Sequence, residues 1–208
     1  MSEKIDNNQA DLQSQEQERN ELYPIFLKLH NLSVLIVGGG NVGLEKLSFL
    51  LKSSPNAKVE VVAPTFIPEL VSLAEAHPGV KLTGKKFKKK MLKKRHMVIA
   101  CTNDLKVNRR VYTLSRKRYL ICNIADTPDL CDYYLGGIVT KGNVKIAIST
   151  NGKSPTTAKR LREFFEEVIP EDINEMVQNL NEYRKTLKGD FEDKVQKMNE
   201  ITASLKNK

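Results

Sequence analysis

Three stretches hold residues whose types and spacing could do chemistry. The first is Leu32 to Gly43, LSVLIVGGGNVG. Gly38, Gly40 and Gly43 fit the spacing G-x-G-x-x-G between the apolar run Val34 to Val37 and an apolar-periodic segment through Val42, Leu44, Leu47, Leu50 and Leu51. Strand, glycine turn and helix in that order suit a dinucleotide. The first glycine permits a tight turn, the second lets a pyrophosphate approach the backbone, and the third lets helix and strand pack closely. Asn41 and Val42 share this turn, where a helix start offers N–H groups and partial positive charge to phosphates. Such turns also occur without any nucleotide. The second stretch is Asn123-Ile124-Ala125-Asp126-Thr127-Pro128, followed by Asp129 and Asp132. Asp126 is either a proton-transferring carboxylate or a turn residue ahead of Thr127-Pro128. The third is the polar turn Thr150-Asn151-Gly152-Lys153-Ser154-Pro155, in which Ser154 either faces a ligand or caps the helix that follows.

These stretches need elements to position them. Strands are expected at Ser33 to Val37, Lys58 to Ala63, Val80 to Thr83, Met97 to Cys101 and Tyr119 to Asn123. Helices between them are expected at Gly43 to Lys52, Glu69 to Ala76 and Val107 to Arg118. Alternation of this kind argues an α/β fold with a doubly wound parallel sheet. Tyr23 to Leu27 reads as a short edge strand. Ligands of open α/β sheets bind outside the carboxyl ends of the strands. That places Thr102 and Asn103 beside a dinucleotide and Asn123 and Ile124 beside its nicotinamide, with Asp104 also suited to cap the next helix. Beyond Asn123 the pattern changes. Tyr134 to Val139 and Val144 to Ser149, joined by Lys141-Gly142-Asn143, read as a hairpin. A helix follows at Thr156 to Val168. Two amphipathic stripes follow, Ile173 to Leu187 and Phe191 to Leu205, with Gly189 ending the first helix and Asp190 capping the second.

Composition narrows the function classes. The chain has 208 residues and a formal net charge of +9. No apolar run reaches membrane-spanning length, and the N-terminus lacks the basic and apolar regions of a signal peptide. The three cysteines, Cys101, Cys122 and Cys131, show no metal-ligand spacing. A reduced, cytoplasmic setting is expected, and no metal site. The charge suits nucleic acid, a membrane surface or an anionic small molecule. No nucleic-acid motif appears, so the expected partner is a small polyanion, with no nucleic acid and no membrane. The dense run Lys85 to Arg95 reads as a solvated helix face or as a surface that draws an anionic ligand inward. On the second strand, KVEVVAP, Glu60 lies mid-strand and Ala63-Pro64 occupy the end where a ribose-binding acid is usual. Glu60 is therefore read as a sheet-face residue. The strand does not choose between NAD and NADP.

Several motifs agree in order. YPIFLKL, LIVGGGNVGLEK, TFIPEL, IACTNDLKVNRRV, CNIADTPDLCDYYLGGIV and VKIAISTNGKSPTTAKRLRE resemble the precorrin-2 dehydrogenase and sirohydrochlorin ferrochelatase family, the N-terminal module of siroheme synthase. The resemblance covers about Tyr23 to Pro170. It implies a Rossmann-like parallel sheet domain (residues 21–133), a small β dimerisation region (134–168) and a C-terminal helical domain (169–208), after a disordered tail (1–20). It implies an intertwined homodimer, NAD as cofactor, and oxidation of precorrin-2 to sirohydrochlorin. Some members also insert Fe²⁺, as a substrate, to give siroheme. Asp126 matches the family aspartate assigned to both reactions. Thr150 stands where some members have a phosphorylatable serine, and Asn151 where glycine is common, so phosphorylation is not expected. Thr150, Asn151, Gly152 and Ser154 are expected to line the substrate site. Arg109 and Arg160, with Arg110, Lys159 and Arg162, are candidates to pair the carboxylates of the macrocycle. The alternative function is a non-catalytic NAD-binding regulatory domain.

Overall fold

The computed structural model describes residues 19–203. Most of the expected tail, and Leu205, lie outside them. Five parallel strands form one sheet in the order β3-β2-β1-β4-β5. They are β1 (Ser33–Val37), β2 (Lys58–Ala63), β3 (Val80–Gly84), β4 (Met97–Ala100) and β5 (Ile121–Ile124). The order reverses between β1 and β4, which opens a crevice at their carboxyl ends. The α/β reading therefore holds. Helices α1 (Asn41–Ser53), α2 (Pro68–Glu75) and α3 (Leu105–Arg116) connect the strands.

Side-chain alternation splits the core in two. Val34 and Ile36 of β1 and Val59 and Val61 of β2 pack with Leu47, Leu50 and Leu70 on the side of α1 and α2. Leu35 and Val37 face the other way, with Val62, Val98, Val111 of α3 and Leu92. Cys101 and Cys122 are buried, and burial pushes each thiol up to about 12. They are inert small hydrophobes.

Glu60 is confirmed as a sheet-face residue. Its carboxylate accepts from Thr83 Oγ1 at 2.6 Å and pairs with Arg95. Arg95 also donates to Ser33 Oγ and to the Met91 carbonyl. Arg95 thus belongs to the interior, and it pins the lysine-rich loop to the sheet. That loop contains one helical turn, Lys89–Leu92, rather than the extended helix face that the charge run suggested.

A hairpin of β6 (Gly137–Lys141) and β7 (Val144–Ile148) follows the sheet, then α4 (Pro155–Val168), α5 (Ile173–Thr186) and α6 (Phe191–Thr202). None of the last three helices has a buried residue. The segment Tyr23 to Leu27 is not a strand. Pro24 removes a ladder donor, and Tyr23 and Phe26 stand in solvent. Asn20 is not free either: its side chain donates to Ser149 Oγ and to the Ser149 carbonyl.

The fifth strand starts later than its apolar pattern suggested, because Tyr119 and Leu120 close α3. Tyr119 N–H reaches the Arg116 carbonyl and Leu120 N–H the Ser115 carbonyl, a paired helix end. The left-handed position of that motif usually belongs to glycine, but here it is Tyr119, at φ 56°. The left-handed conformation costs a side chain about 1–2 kcal/mol, of which the unfolded-state entropy of glycine returns about half. Tyr119→Gly is expected to raise stability by roughly 0.5–1 kcal/mol in denaturant titration.

Glu60 gives a second expectation. Burial pulls its pKa up, but hydrogen bonds from Thr83 and Arg95 and the charges of Arg95 and Lys81 outweigh it, leaving the pKa below the ordinary 4.5. A depressed carboxylate stabilises the fold above its unfolded pKa, and that stability is lost as pH falls through the folded value. Glu60→Gln is expected to cost about 1–2 kcal/mol at neutral pH. The deficit should shrink in acid unfolding experiments below pH about 4.5. A deficit unchanged at low pH would contradict the assignment.

Candidate functional site

The glycine turn is built by steric necessity. Gly38 has φ +142°, and a Cβ there would sit 2.6 Å from the Cys101 carbonyl oxygen. A Cβ on Gly43 would sit 2.4 Å from the Gly38 carbonyl oxygen. Gly40 is different, since a Cβ there would meet nothing within 4 Å. The chain therefore leaves space at Gly40 that packing does not use. Gly40 is also the N-cap of α1, and no side chain caps that helix. Helices α3, α4 and α6 are capped by Asp104, Ser154 and Asp190, whereas α2 and α5, like α1, have no side-chain cap. Open N–H groups of the first turn, beside unfilled space, fit a pyrophosphate. The residues present thus suit the dinucleotide that the spacing predicted.

The loop after β4 flanks the same crevice. Thr102 Oγ1 lies 2.7 Å from Asn108 Oδ1, and Asn108 Nδ2 donates to the Thr102 carbonyl. Asn108 is buried and holds this loop in shape. Sequence reasoning missed it, although a polar residue beside Val107 on the apolar face of a helix is a readable signal. Asp104 is a helix cap, accepting from Lys106 and Val107 N–H. Asn103 is exposed at the rim.

A cleft of about 1010 Å³ lies between α1, the loop after β5, the hairpin and α4. Asn123, Ile124 and Asp126 line it, with Ser149, Thr150 and Gly152 of the polar turn. Lys46, one turn along α1 from Gly43, is on its wall. One helix therefore carries the glycine turn at its start and the cleft on its side.

Asp126 has φ 58°, a left-handed conformation costly for a side chain. The short turn after it starts at Thr127 and has no side-chain cap. Among the described residues nothing hydrogen-bonds the Asp126 carboxylate. The carboxylate caps no helix, but the turn alternative stands: Thr127 N–H donates to the Ile124 carbonyl across Ala125-Asp126, and the Asp126 side chain is exposed on the cleft wall. Such strain collects at functional sites. Cys131 shapes the loop around it. Its Sγ lies 3.3 Å from Ile124 N and 3.3 Å from the Thr127 carbonyl oxygen. Burial raises this thiol, so it stays protonated at neutral pH and serves position rather than reaction. Asn123 donates to the Tyr133 carbonyl, which clasps the same loop.

The polar turn divides. Asn151 has φ 54° and donates its N–H to Ser149 Oγ. Thr150 Oγ1 donates to the Ser154 carbonyl, and Ser154 Oγ accepts from Thr157 N–H. Asn151 and Ser154 shape the turn and do not line the cleft. Of the expected cations, Lys159 and Arg162 line the cleft, whereas Arg109 and Arg160 do not. Arg109 projects from α3, on the far side of the sheet, and Arg160 pairs outward with Glu163. A helix repeats every 3.6 residues, so Lys159 and Arg162 reach the cleft in place of Arg160. Lys46, Lys52 and Lys141 line it too, together with Glu166 and Glu171, which pair with Arg162 and Lys141, so cations exceed acids on its wall by a small margin.

Residues 25–137 match the family described as putative NAD(P)-binding. The chain belongs to that family. Residues 141–167 match a second family, described as sirohaem biosynthesis protein central. The chain is 35% identical over 168 residues to a siroheme synthase of Baumannia cicadellinicola subsp. Homalodisca coagulata, covering 81% of this chain and 36% of that one. It is 38% identical to a siroheme synthase of Pseudoalteromonas translucida, covering 81% and 35%. It thus spans about a third of the length of these curated relatives. Its fold is similar to that of SirC, a precorrin-2 dehydrogenase, at 28% identity and a TM-score of 0.69, covering 86% of this chain and 89% of that one. The resemblance read from the motifs is borne out, and so is the nicotinamide dinucleotide as the class of cofactor.

Because Gly40 borders unused space, Gly40→Ala is expected to fold with unchanged stability yet weaken dinucleotide binding at least tenfold, by calorimetric titration. A new methyl group would meet the ligand and nothing else. Equal affinity for both proteins would refute the placement.

Proposed function

We propose that this chain oxidises precorrin-2 to sirohydrochlorin in siroheme biosynthesis, with NAD as hydride acceptor. The observation that carries this reading is the unpaired Asp126 carboxylate, strained onto a cationic cleft whose wall is the helix of the glycine turn. Precorrin-2 is a polycarboxylate macrocycle, and a lining of Lys46, Lys52, Lys141, Lys159 and Arg162 suits its carboxylates. Gly38, Gly40, Asn41, Val42 and Gly43 hold the pyrophosphate, and Thr102, Asn103, Asn123 and Ile124 border the rest of the dinucleotide. When bound, that cofactor supplies the site that accepts hydride. Asp126 takes the proton that the macrocycle releases as hydride leaves its carbon. Asn123 and Cys131 keep the aspartate loop in place while Thr150 and Gly152 floor the cleft.

A non-catalytic regulatory domain needs the dinucleotide turn but neither the cationic cleft nor a strained carboxylate beside it. The same carboxylate also suits a second step, in which Asp126 accepts pyrrole protons as Fe²⁺ enters sirohydrochlorin. A homodimer accounts for the C-terminal helices, where Phe164, Val168, Phe191 and Ile201 remain exposed. The cytoplasm suits the three free thiols.

Purified protein is expected to convert precorrin-2 to sirohydrochlorin with formation of NADH. Asp126→Ala should lower that rate by about 10²–10⁴ while NAD binding survives. A fully active variant would remove Asp126 from the mechanism. No turnover by the unaltered protein, where a known precorrin-2 dehydrogenase works, would reject the function. Siroheme formation from sirohydrochlorin and Fe²⁺ above the spontaneous rate decides the second step.

A further inference from the structure

The excess positive charge of this chain is confined to one segment. Fourteen of its 34 Lys and Arg lie between Lys85 and Arg118, where Asp104 is the lone acid. The remainder has 20 basic and 24 acidic residues, so the whole excess belongs to that segment. The fold gathers it on one face. The turn at Lys89–Leu92 packs beside α3, with Leu92 and Val111 in one core cluster. That layer covers the side of the sheet opposite α1, whereas the cleft opens on the α1 side. This charge is therefore badly placed to hold a ligand in the cleft. Arg95 is turned inward to Glu60, and Arg116 pairs with Asp132. The other cations of the segment have no ion pair among the described residues.

One corner of this face has a second feature. Tyr119 follows Arg116-Lys117-Arg118 and is 97% exposed. Lys94, also left-handed at φ 61°, belongs to the neighbouring loop, and the two runs meet where Ile121 N–H donates to the His96 carbonyl. Tyr119 fills no core, and its backbone position is one that glycine satisfies better. Neither packing nor backbone geometry explains a large aromatic here.

We propose that this corner docks on an anionic lipid surface, with Tyr119 in the headgroup layer and the surrounding lysines over lipid phosphates. Tyrosine is enriched at membrane–water interfaces, where its ring and hydroxyl are both satisfied. Clustered Lys and Arg are drawn to anionic leaflets. Lysines outnumber arginines nine to five in the segment. Protein interfaces are depleted in lysine, and bidentate phosphate recognition favours arginine. Single-stranded nucleic acid is held by a groove with successive stacking aromatics, whereas this corner offers one protruding ring. No described helix is long and apolar enough to cross a membrane, so the association is peripheral. Docked this way, the chain keeps its cleft on the far face, open to water. This departs from the expectation of no membrane partner, which had set a membrane surface aside in favour of a small polyanion.

The test is co-sedimentation of the full chain with phosphatidylcholine vesicles containing about one-third phosphatidylglycerol, and with phosphatidylcholine alone. Binding is expected to the anionic vesicles only, and to fall as salt screens the charge. Lys93→Glu with Lys94→Glu should weaken it at least roughly tenfold. Tyr119→Gly should weaken it several-fold with no fall in melting temperature, which separates docking from folding. Equal binding to neutral vesicles, no binding to anionic ones, or indifference to these variants overturns the proposal. So does tighter, variant-sensitive binding of a single-stranded RNA oligonucleotide, which would assign the corner to nucleic acid.

Discussion

Everything at the candidate site depends on how closely the backbone approaches itself after β1. The Gly38 carbonyl oxygen lies where a Cβ of Gly43 would be, and Gly38 itself lies against the Cys101 carbonyl at the end of β4. These two contacts fix the distance between β1, β4 and the start of α1. A larger residue at either position would push the helix off the sheet, because the opposing atoms are backbone and cannot rotate away. The close approach sets the direction of α1. That direction in turn puts Lys46 on the cleft wall, opposite the Asp126 loop.

The same sheet separates two kinds of charge. On the α1 side the cleft carries its own cations, several of them restrained by carboxylates: Lys141 by Glu171 and Arg162 by Glu166 at 2.5 Å. Paired cations hold defined geometry, which suits a ligand of fixed shape. On the α3 side most of the cations have no ion pair among the described residues. Unpaired lysines on flexible stems attract a diffuse negative surface but specify little. The two groups differ in chemistry as well as in place. Net charge alone joined them into one property.

Elements were legible where local pattern decides. All five sheet strands follow from apolar runs, and their partners follow from parallel alternation. The Ser154 and Asp190 caps could be read because capping acts within three residues. What could not be read depends on residues far apart in the chain. Arg95 looked like one more solvated cation, yet it spans 35 positions to Glu60. Tyr23 to Leu27 had strand composition, but a strand needs an edge to pair with, and composition does not supply one. Arg109 and Arg160 were chosen by closeness in sequence to the presumed site, whereas helical phase and the side of the sheet decide which residues arrive. Asp126 was ambiguous for a different reason. A turn aspartate and a poised carboxylate have the same neighbours in sequence, and one residue can be both: Asp126 occupies a turn while its carboxylate accepts no hydrogen bond among the described residues.

That last distinction bears on how such a site is maintained. A carboxylate that capped the next turn would have lower free energy and would be held by the fold. Asp126 does no such work, and its left-handed backbone adds strain. The cost is met by neighbours that close the loop without using it: Cys131 through its sulfur, Asn123 through its amide, and Asp132 through the Cys122 N–H at 2.9 Å. Each contact orders the loop, and none occupies the Asp126 carboxylate. The contacts that order this ten-residue segment thus fall on residues other than Asp126, which lets the loop be held in shape while the carboxylate at its turn stays exposed.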